Sequence, residues 1–216
     1  MYVPEHFEET RIGVLHDLMR KHPLGVLCTS GQGGLDANHI PFLLDAEAGS
    51  YGVLHAHVAR ANPVWRQIRP EGEGLVIFSA EDAYISPSWY PSKHEFHRQV
   101  PTWNYRVVHA RGRITVRDDE RYVRWLVARL TQIHEASELE PWKMGDSPKD
   151  YIDGMLAAIV GIEVEITRLV GKFKLSQNRE ARDIEAAAGA LKSQGNTVLA
   201  EAMLDAAPGS GPERGS

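Results

Sequence analysis

The chain has 216 residues, of which 43% are hydrophobic and 25% are charged, and its formal net charge is −5. This composition is typical of a globular protein, and the length is enough to bury a core in one domain or two. The negative charge excludes the sequence-wide basic field that binding to a phosphate backbone usually needs. Because no apolar stretch is long enough for a membrane span, we expect no membrane insertion.

The chain contains a single cysteine, Cys28, which lies in the apolar run LGVLCTS. One cysteine forms no internal disulfide, and in an apolar run it predicts a buried thiol. The N-terminal MYVPEHFEETR is polar and acidic, without the basic and then apolar order of a signal peptide. We therefore expect a cytoplasmic protein.

The first half of the chain predicts one helix followed by strands. Apolar residues recur at helical spacing up to Pro23, which follows a basic last turn and ends the helix. Residues 25–30 and 39–45 have strand composition and flank the turn-rich GQGGLDAN, and residues 51–58 follow a second turn. These three strands predict an antiparallel meander.

A short helix then interrupts the sheet, because Asn62 is a good N-cap and Pro63 suits the first helical position. Residues 74–80 and 106–118 predict two further strands. Within the second of these, Gly112 is a candidate β-bulge that lets a curved sheet bend.

The later part of the chain predicts helices around a last strand. Residues 119–135 form an amphipathic pattern, and Ser147 with Pro148 is typical of a helix start. Residues 160–167 alternate apolar and polar side chains, as in a half-buried strand. Two helices around the turn SQGN are predicted at about 178–206.

Together these elements predict one domain over residues 1–206 and a disordered tail at 207–216. The fold class is mainly β with α: a six-stranded antiparallel barrel with flanking helices and a C-terminal helical pair. A β-sandwich is the alternative.

The octapeptide HAHVARAN, residues 55–62, carries two candidate sites. His55 and His57 point to one face of a strand and, with His39, suggest a metal site, although no carboxylate or cysteine completes a known metal spacing. Alternatively, Arg60 and the helix start at Asn62 form an anion site suited to phosphate. Equally, Asn62 only caps the helix and Arg60 only meets solvent.

Residues 84–105, YISPSWYPSKHEFHRQVPTWNY, concentrate aromatic side chains between prolines. Because Pro87, Pro91 and Pro101 restrict the backbone, the rings are held rigidly, as suits a flat and mostly apolar ligand. The alternative is a loop core in which the rings only pack. The segment GKFKLSQNR, residues 171–179, either binds an anion or caps the following helix.

Several motifs in order resemble one known family: MYVPEHF, HIPF, HAHVARANPVW, AYISPSWY, VPTWNYRVVHARG, IVGIEVEI and KFKLSQNR. They are similar to those of the PaiB-type FMN-binding negative transcriptional regulators, from residue 1 to about residue 204. The resemblance implies an FMN-binding split barrel like that of the pyridoxamine-phosphate oxidase class. It also implies a homodimer with the flavin at the subunit interface.

The same resemblance implies the cofactor contacts. Arg60 and Asn62 are expected near the FMN phosphate, and Trp89 and Trp103 near the ring system. The full set of expected FMN contacts is His39, Ile40, Pro41, His55, His57, Ala59, Arg60, Asn62, Ser86, Trp89, Thr102, Trp103, Asn104, Lys172 and Lys174. The sequence departs from the family pattern before YISP, where acidic Glu81 and Asp82 disfavour an anion.

Three functions stay open at this point. The first is a flavin-binding regulator, for which direct DNA binding has weak support because acidic residues outnumber basic ones in residues 182–205. The second is an FMN-dependent oxidoreductase with a nicotinamide electron donor, in which His94 and His97 donate protons. The third is a haem- or metal-binding barrel that uses His55 and His57.

Overall fold

The structure is a computed structural model that describes residues 1–31, 33–68 and 72–208. Its strands are β1 (Glu8–Glu9), β2 (Leu24–Gly31), β3 (Gly34–Pro41), β4 (Leu43–Asp45), β5 (Val53–Ala59), β6 (Glu73–Ile85), β7 (Thr102–Arg117) and β8 (Ile159–Lys174). Its α-helices are α1 (Ile12–Lys21), α2 (Val64–Gln67), α3 (Pro91–Phe96), α4 (Glu120–His134), α5 (Lys149–Ala157), α6 (Ala181–Ser193) and α7 (Thr197–Asp205). None of these helices, within the described residues, is long and apolar enough to cross a membrane.

The strands pair in the order β3-β2-β6-β7-β8-β5-β4, and β1 adds to β8. The predicted class, an antiparallel β structure with flanking helices, is confirmed. The predicted strand number is wrong, because the described chain has eight strands rather than six, and no pairing in it joins β3 to β4 to close the sheet. The two additional strands are β1, which was not predicted, and β4, because residues 39–45, predicted as one strand, are divided between β3 and β4. Residues 34–38, expected in a turn, also pair with β2 as part of β3.

The chain forms two compact units, to which β6, β7 and β8 each contribute residues. The central unit comprises residues 16–78 and 109–169, and the terminal unit comprises residues 1–15, 79–108 and those from 170 onward. The expectation of one domain over residues 1–206 stays a prediction. Most of the predicted disordered tail, residues 209–216, lies outside the described residues.

The core of the central unit follows the strand period of two. Leu54, Ala56 and Val58 of β5 are buried and lie opposite Val164, Ile162 and Val160 of β8. Helix α4 begins where the Asp119 side chain accepts a hydrogen bond from the Tyr122 amide, at 2.8 Å. Its apolar stripe then packs with α5 in a cluster made of Tyr122, Val123, Leu126, Leu130, Ile152 and Leu156.

The terminal unit is built around the predicted C-terminal helical pair, which the structure contains as α6 and α7. Small and branched side chains fill the buried face of the pair, so the two helices pack closely. The fully buried members include Ile184, Ala187, Leu191, Leu199 and Met203. Residues 171–174, expected after the last strand, instead form the end of β8.

Gly112 lies within β7 and has a role other than the predicted bulge. A methyl group added there would meet the backbone carbonyl group of Glu165, and would lie 2.9 Å from Cγ1 of Val164. Glycine is therefore required because the backbone of β8 passes close to this position.

We predict that Gly112→Ala lowers the free energy of unfolding by about 1–3 kcal/mol, because a backbone group cannot move aside as a flexible side chain can. Urea denaturation followed by circular dichroism measures the change. Gly189→Ala in α6 is the matched control, since nothing lies within 4 Å of its added methyl group. The free energy of unfolding of the control should rise by up to about 1 kcal/mol. Equal free energies of unfolding for the wild type and Gly112→Ala would contradict the packing role of Gly112.

Candidate functional site

The expected FMN contacts fall into two groups, one in each unit. The group in the central unit lies on β3, on β5 and just after β5: His39, Ile40, Pro41, His55, His57, Ala59, Arg60 and Asn62. The group in the terminal unit lies at the end of β6, at the start of β7 and at the end of β8: Ser86, Trp89, Thr102, Trp103, Asn104, Lys172 and Lys174.

His55 is a core residue of the central unit. Its Nδ1 lies 2.8 Å from the Tyr122 hydroxyl, and its ring meets the Trp125 ring edge to face at 5.1 Å. Burial lowers the pKa of His55, and the Glu163 carboxylate opposes that shift only in part. This histidine is therefore neutral at pH 7 and already has a hydrogen-bond partner.

His57 differs from His55 because one of its ring nitrogens has no partner. The side chain is partly buried, and its Nδ1 is inaccessible to solvent and makes no hydrogen bond to the described residues. Burial lowers the pKa of His57 and keeps the ring neutral. A buried nitrogen without a hydrogen-bond partner raises the free energy of the folded state, so a further polar atom that bonded to Nδ1 of His57 would be favourable.

Arg60 is engaged within the chain rather than open to an anion. Its guanidinium donates to the Asp118 carboxylate at 2.6 and 3.0 Å, and also to the carbonyls of Ala157 and Ile159. The ion pair lowers the pKa of Asp118, mainly through the hydrogen bond from Arg60. A phosphate at this place would have to displace a bidentate carboxylate.

The surroundings of Arg60 also disfavour phosphate. It lines a pocket of about 360 Å³ whose wall carries several carboxylates. Because these carboxylates carry the same sign of charge as a phosphate, they repel it, and binding of an anion in this pocket is unfavourable. The acidic lining residues are Asp118, Asp119, Glu120 and Asp153.

Asn62 uses both ends of its amide for local structure. Its Nδ2 donates to Oδ1 of Asn38 at 2.7 Å, and its Oδ1 accepts from the Val64 amide at 2.9 Å. Helix α2, which this bond begins, has only four residues. The predicted helix start is therefore present, but it is too short to provide the dipole of a phosphate site.

The metal hypothesis finds no matching geometry in the described part of the chain. His39 is exposed on β3, and no group of three His, Cys, Asp or Glu side chains among the described residues is placed to hold a metal ion. Within the described residues, these histidines therefore form no metal site.

The terminal unit contains a cluster of cations. The Lys174 ammonium donates to the Thr102 hydroxyl and, at 2.6 Å, to the Trp103 carbonyl. Lys172, two residues earlier on β8, lies over the Tyr105 ring at 5.5 Å. Burial, followed by the charges of Lys172 and Arg179, lowers the pKa of Lys174. We call Thr102, Lys172, Lys174 and Arg179 the basic cluster.

The basic cluster has no carboxylate partner among the described residues. No acidic side-chain oxygen in the described chain lies within 4 Å of Lys172, Lys174 or Arg179. Glu8 stands opposite Lys172 in the β1–β8 pairing, but it is exposed and forms no such ion pair. Partly buried cations without an anion are unfavourable, so the arrangement suits an incoming anion.

A strained turn follows β8 and separates two members of the cluster. Ser176 has φ of 68°, a left-handed conformation that is uncommon for residues other than glycine. It is buried, and its Oγ accepts a hydrogen bond from Nδ2 of Asn104 at 2.9 Å. Such strain persists only where the surrounding bonds fix it, and it occurs often at functional sites.

The Gln177 side chain fixes the same turn from the other side. Its Oε1 accepts from the Leu175 amide at 2.8 Å, and its Nε2 donates to the Phe173 carbonyl at 2.6 Å. The turn therefore holds Lys174 before it and Arg179 after it in defined places. Arg179 lies in the segment 171–179 predicted to bind an anion or cap a helix, but it is not one of the expected FMN contacts.

The other expected residues of the terminal unit have mixed roles. Asn104 is fully buried and bonded to Ser176, so its side chain supports the turn. Ser86 caps the 3-10 helix that contains Trp89, by accepting from the Ser88 amide. Trp103 is 53% exposed, and its ring meets that of Tyr84 at 6.2 Å.

The chain matches a known family model over most of its length. The family model described as "Putative FMN-binding domain" matches residues 1–168. An uncharacterized protein of Emericella nidulans is 32% identical over 212 residues, covering 82% of this chain and 84% of that protein. Protease synthase and sporulation protein PAI 2 of Bacillus subtilis is 29% identical, covering 95% of this chain and 97% of that protein.

Solved structures support the fold class. The flavocytochrome Anf3 from Azotobacter vinelandii has a TM-score of 0.57 and 12% identity, covering 80% of this chain and 72% of that one. The FAD and heme binding protein from Mycobacterium smegmatis has a TM-score of 0.54 and 18% identity, covering 78% and 73%. At these identities the likeness is one of fold, and it supports the predicted class of an antiparallel β structure with flanking helices.

We predict that inorganic phosphate raises the melting temperature by about 2–4 °C at concentrations well above its Kd, at constant ionic strength, because it binds the folded basic cluster. Differential scanning fluorimetry measures the shift. Lys174→Met should lose most of it, since the half-buried ammonium is removed.

Lys192→Met is the matched control for this experiment, because Lys192 is an exposed lysine on α6. It should keep the full phosphate shift. Equal shifts in the wild type and Lys174→Met would contradict an anion site at the basic cluster.

Proposed function

Since the chain belongs to the FMN-binding domain family, we propose that it is a flavoprotein that holds the FMN phosphate in the basic cluster. The observation that carries this proposal is the group of three cations, Lys172, Lys174 and Arg179, without a carboxylate partner in the described chain. A phosphate monoester carries close to two negative charges at pH 7 and accepts several hydrogen bonds.

The chemistry of the cluster fits that group. The Thr102 hydroxyl donates to one phosphate oxygen, and the ammonium of Lys174 neutralises charge at short range. The Arg179 guanidinium presents a planar fork that matches phosphate geometry. Phosphate binding also offsets the burial and the like-charge repulsion that lower the pKa of Lys174.

The neighbouring aromatic residues fit the rest of the flavin. Trp103 directly follows Thr102 and, with Tyr84, presents an exposed aromatic surface in the same unit. Aromatic faces of this kind stack on planar rings and exclude water from them. When bound, the flavin supplies electron transfer, and the side chains of the chain bind and orient it.

We further propose that the flavin site is completed in a homodimer. Large apolar side chains remain about half exposed beside the proposed site, with Tyr84 at 47% and Trp103 at 53%. Adjacent exposed apolar residues often mark an association surface, because their burial is favourable. The central-unit group of expected FMN contacts, among them His57 with its open Nδ1, stays a prediction.

The regulatory role of the PaiB-type family is proposed to act through the flavin and the dimer rather than through DNA contact by the C-terminal helices. Glu201 and Asp205 are exposed on α7, where a phosphate backbone would be repelled. An FMN-dependent oxidoreductase is the second candidate, favoured by the exposed His94 and His97 at the end of α3. Turnover with a nicotinamide donor distinguishes the two functions.

We predict that Lys174→Met weakens FMN binding by about 10-fold or more and riboflavin binding by less than about 2-fold, because only FMN carries the phosphate. Quenching of flavin fluorescence on titration with protein measures both dissociation constants. The ratio of the two constants removes general effects on folding.

Arg60→Met is the matched control, because this arginine was the phosphate ligand expected from the sequence. It should leave the ratio of riboflavin to FMN dissociation constants unchanged. If Arg60→Met instead lowers the ratio of riboflavin to FMN dissociation constants and Lys174→Met leaves it unchanged, the phosphate binds in the central unit and the proposed site is wrong.

A further inference from the structure

Residues 91–99, the middle of the aromatic segment, are anchored to α6 rather than loosely exposed. Glu95 of α3 accepts two hydrogen bonds from the Arg182 guanidinium, at 2.6 and 2.8 Å. Both side chains of this ion pair are exposed, so the pair contributes little stability alone. A second anchor, which is buried, lies at Ser92.

Asp183 is the centre of the buried anchor. It is 1% exposed and receives two hydrogen bonds from Ser92, one from the backbone amide at 3.0 Å and one from Oγ at 2.5 Å. It also lies in the first turn of α6, where the helix dipole favours a negative charge. These interactions compensate the buried carboxylate, and they commit the hydroxyl proton of Ser92 to Asp183.

From Ser92 the hydrogen bonds continue to the basic cluster. Gln99 donates from Nε2 to Oγ of Ser92 at 2.8 Å, and its Oε1 accepts from NH1 of Arg179 at 2.5 Å. Because the Ser92 hydroxyl proton is already used, its oxygen accepts from the amide nitrogen of Gln99. The amide oxygen must then point to Arg179, so the orientation of Gln99 is fixed.

Gln99 also suits this position because it is neutral. An amide oxygen orients a guanidinium without cancelling its charge, whereas a carboxylate at the same place would compete with an anionic ligand. The Arg179 guanidinium additionally lies 5.7 Å from the centre of the Tyr90 ring, which restricts its plane. Arg179 is thus held on two sides while its charge stays available.

We propose that Ser92, Gln99 and Asp183 are positioning residues that aim Arg179 at the FMN phosphate, so that residues 91–99 set the selectivity for phosphorylated over unphosphorylated flavin. The inference rests on the proposed FMN site. Residues 91–99 would then act on phosphate recognition through Arg179, without contacting the phosphate themselves.

A double-mutant cycle tests the proposal in the full chain. Ser92→Ala removes one oxygen and leaves the backbone bond to Asp183, and Arg179→Met removes the guanidinium. Dissociation constants for FMN and riboflavin are measured for the wild type, both single variants and the double variant. Circular dichroism verifies that each is folded.

We expect Arg179→Met to weaken FMN binding about 10- to 100-fold, as for the loss of a charge-assisted hydrogen-bonded pair. Ser92→Ala should weaken FMN binding by about 3- to 10-fold, and riboflavin binding should stay within about 2-fold in both. In the Arg179→Met background, Ser92→Ala should have no further effect, because the residue that it orients is absent. Ser193→Ala, on the exposed end of α6, should change neither ligand.

Equal loss of FMN and riboflavin in Ser92→Ala, or an effect that persists in the Arg179→Met background, would overturn the positioning role. If Lys174→Met lowers the ratio of riboflavin to FMN dissociation constants and Arg179→Met does not, the role of Ser92, Gln99 and Asp183 in positioning Arg179 is wrong. The phosphate site at Lys174 is then still supported. If neither variant lowers that ratio, the phosphate site itself is wrong. Should Ser92→Ala fail to fold, Gln99→Glu gives the same readout, with FMN binding weakened selectively by an ion pair with Arg179.

Discussion

The partly buried ammonium of Lys174 is the constraint on which the account of this protein depends. Two further cations and no carboxylate of the described chain lie near it, so its charge is stabilised only by a hydroxyl, a carbonyl and whatever anion binds. Folding brings these like charges together at a cost in free energy, which the packing of β8, α6 and α7 must offset. Such a local cost is typical of binding sites, where stability is lost in order to prepare the site for a ligand.

Arg60 and Arg179, which both lie in segments predicted to bind an anion, differ in their partners within the chain. Arg60 has a bidentate carboxylate and two carbonyls, so its hydrogen-bonding capacity is used within the chain. Arg179 has a neutral amide and an aromatic ring, which orient it and leave its charge uncompensated. A cation without a counterion in the described chain is the better candidate for binding an anion, and this criterion favours the terminal unit.

Sequence patterns were sufficient for much of the fold but for less of the site. Helical spacing predicted α4 and the C-terminal pair, because their apolar stripes are long and regular. Part of β3 was missed because Gly34 to Asn38 have the composition of a turn, and pairing with β2 overrides it. The partner of Arg60 lies 58 residues away, and that of Arg179 lies 80 residues away. Only the tertiary structure reveals which arginine is neutralised.

Determination of a crystal structure of the FMN complex would test most directly the claim that the basic cluster binds the FMN phosphate. Our account predicts phosphate oxygens about 2.7–3.0 Å from Nζ of Lys174 and from the Arg179 guanidinium, with the Arg60–Asp118 ion pair unchanged. A phosphate bonded to Arg60, with Asp118 displaced and the basic cluster in contact with solvent alone, would contradict it.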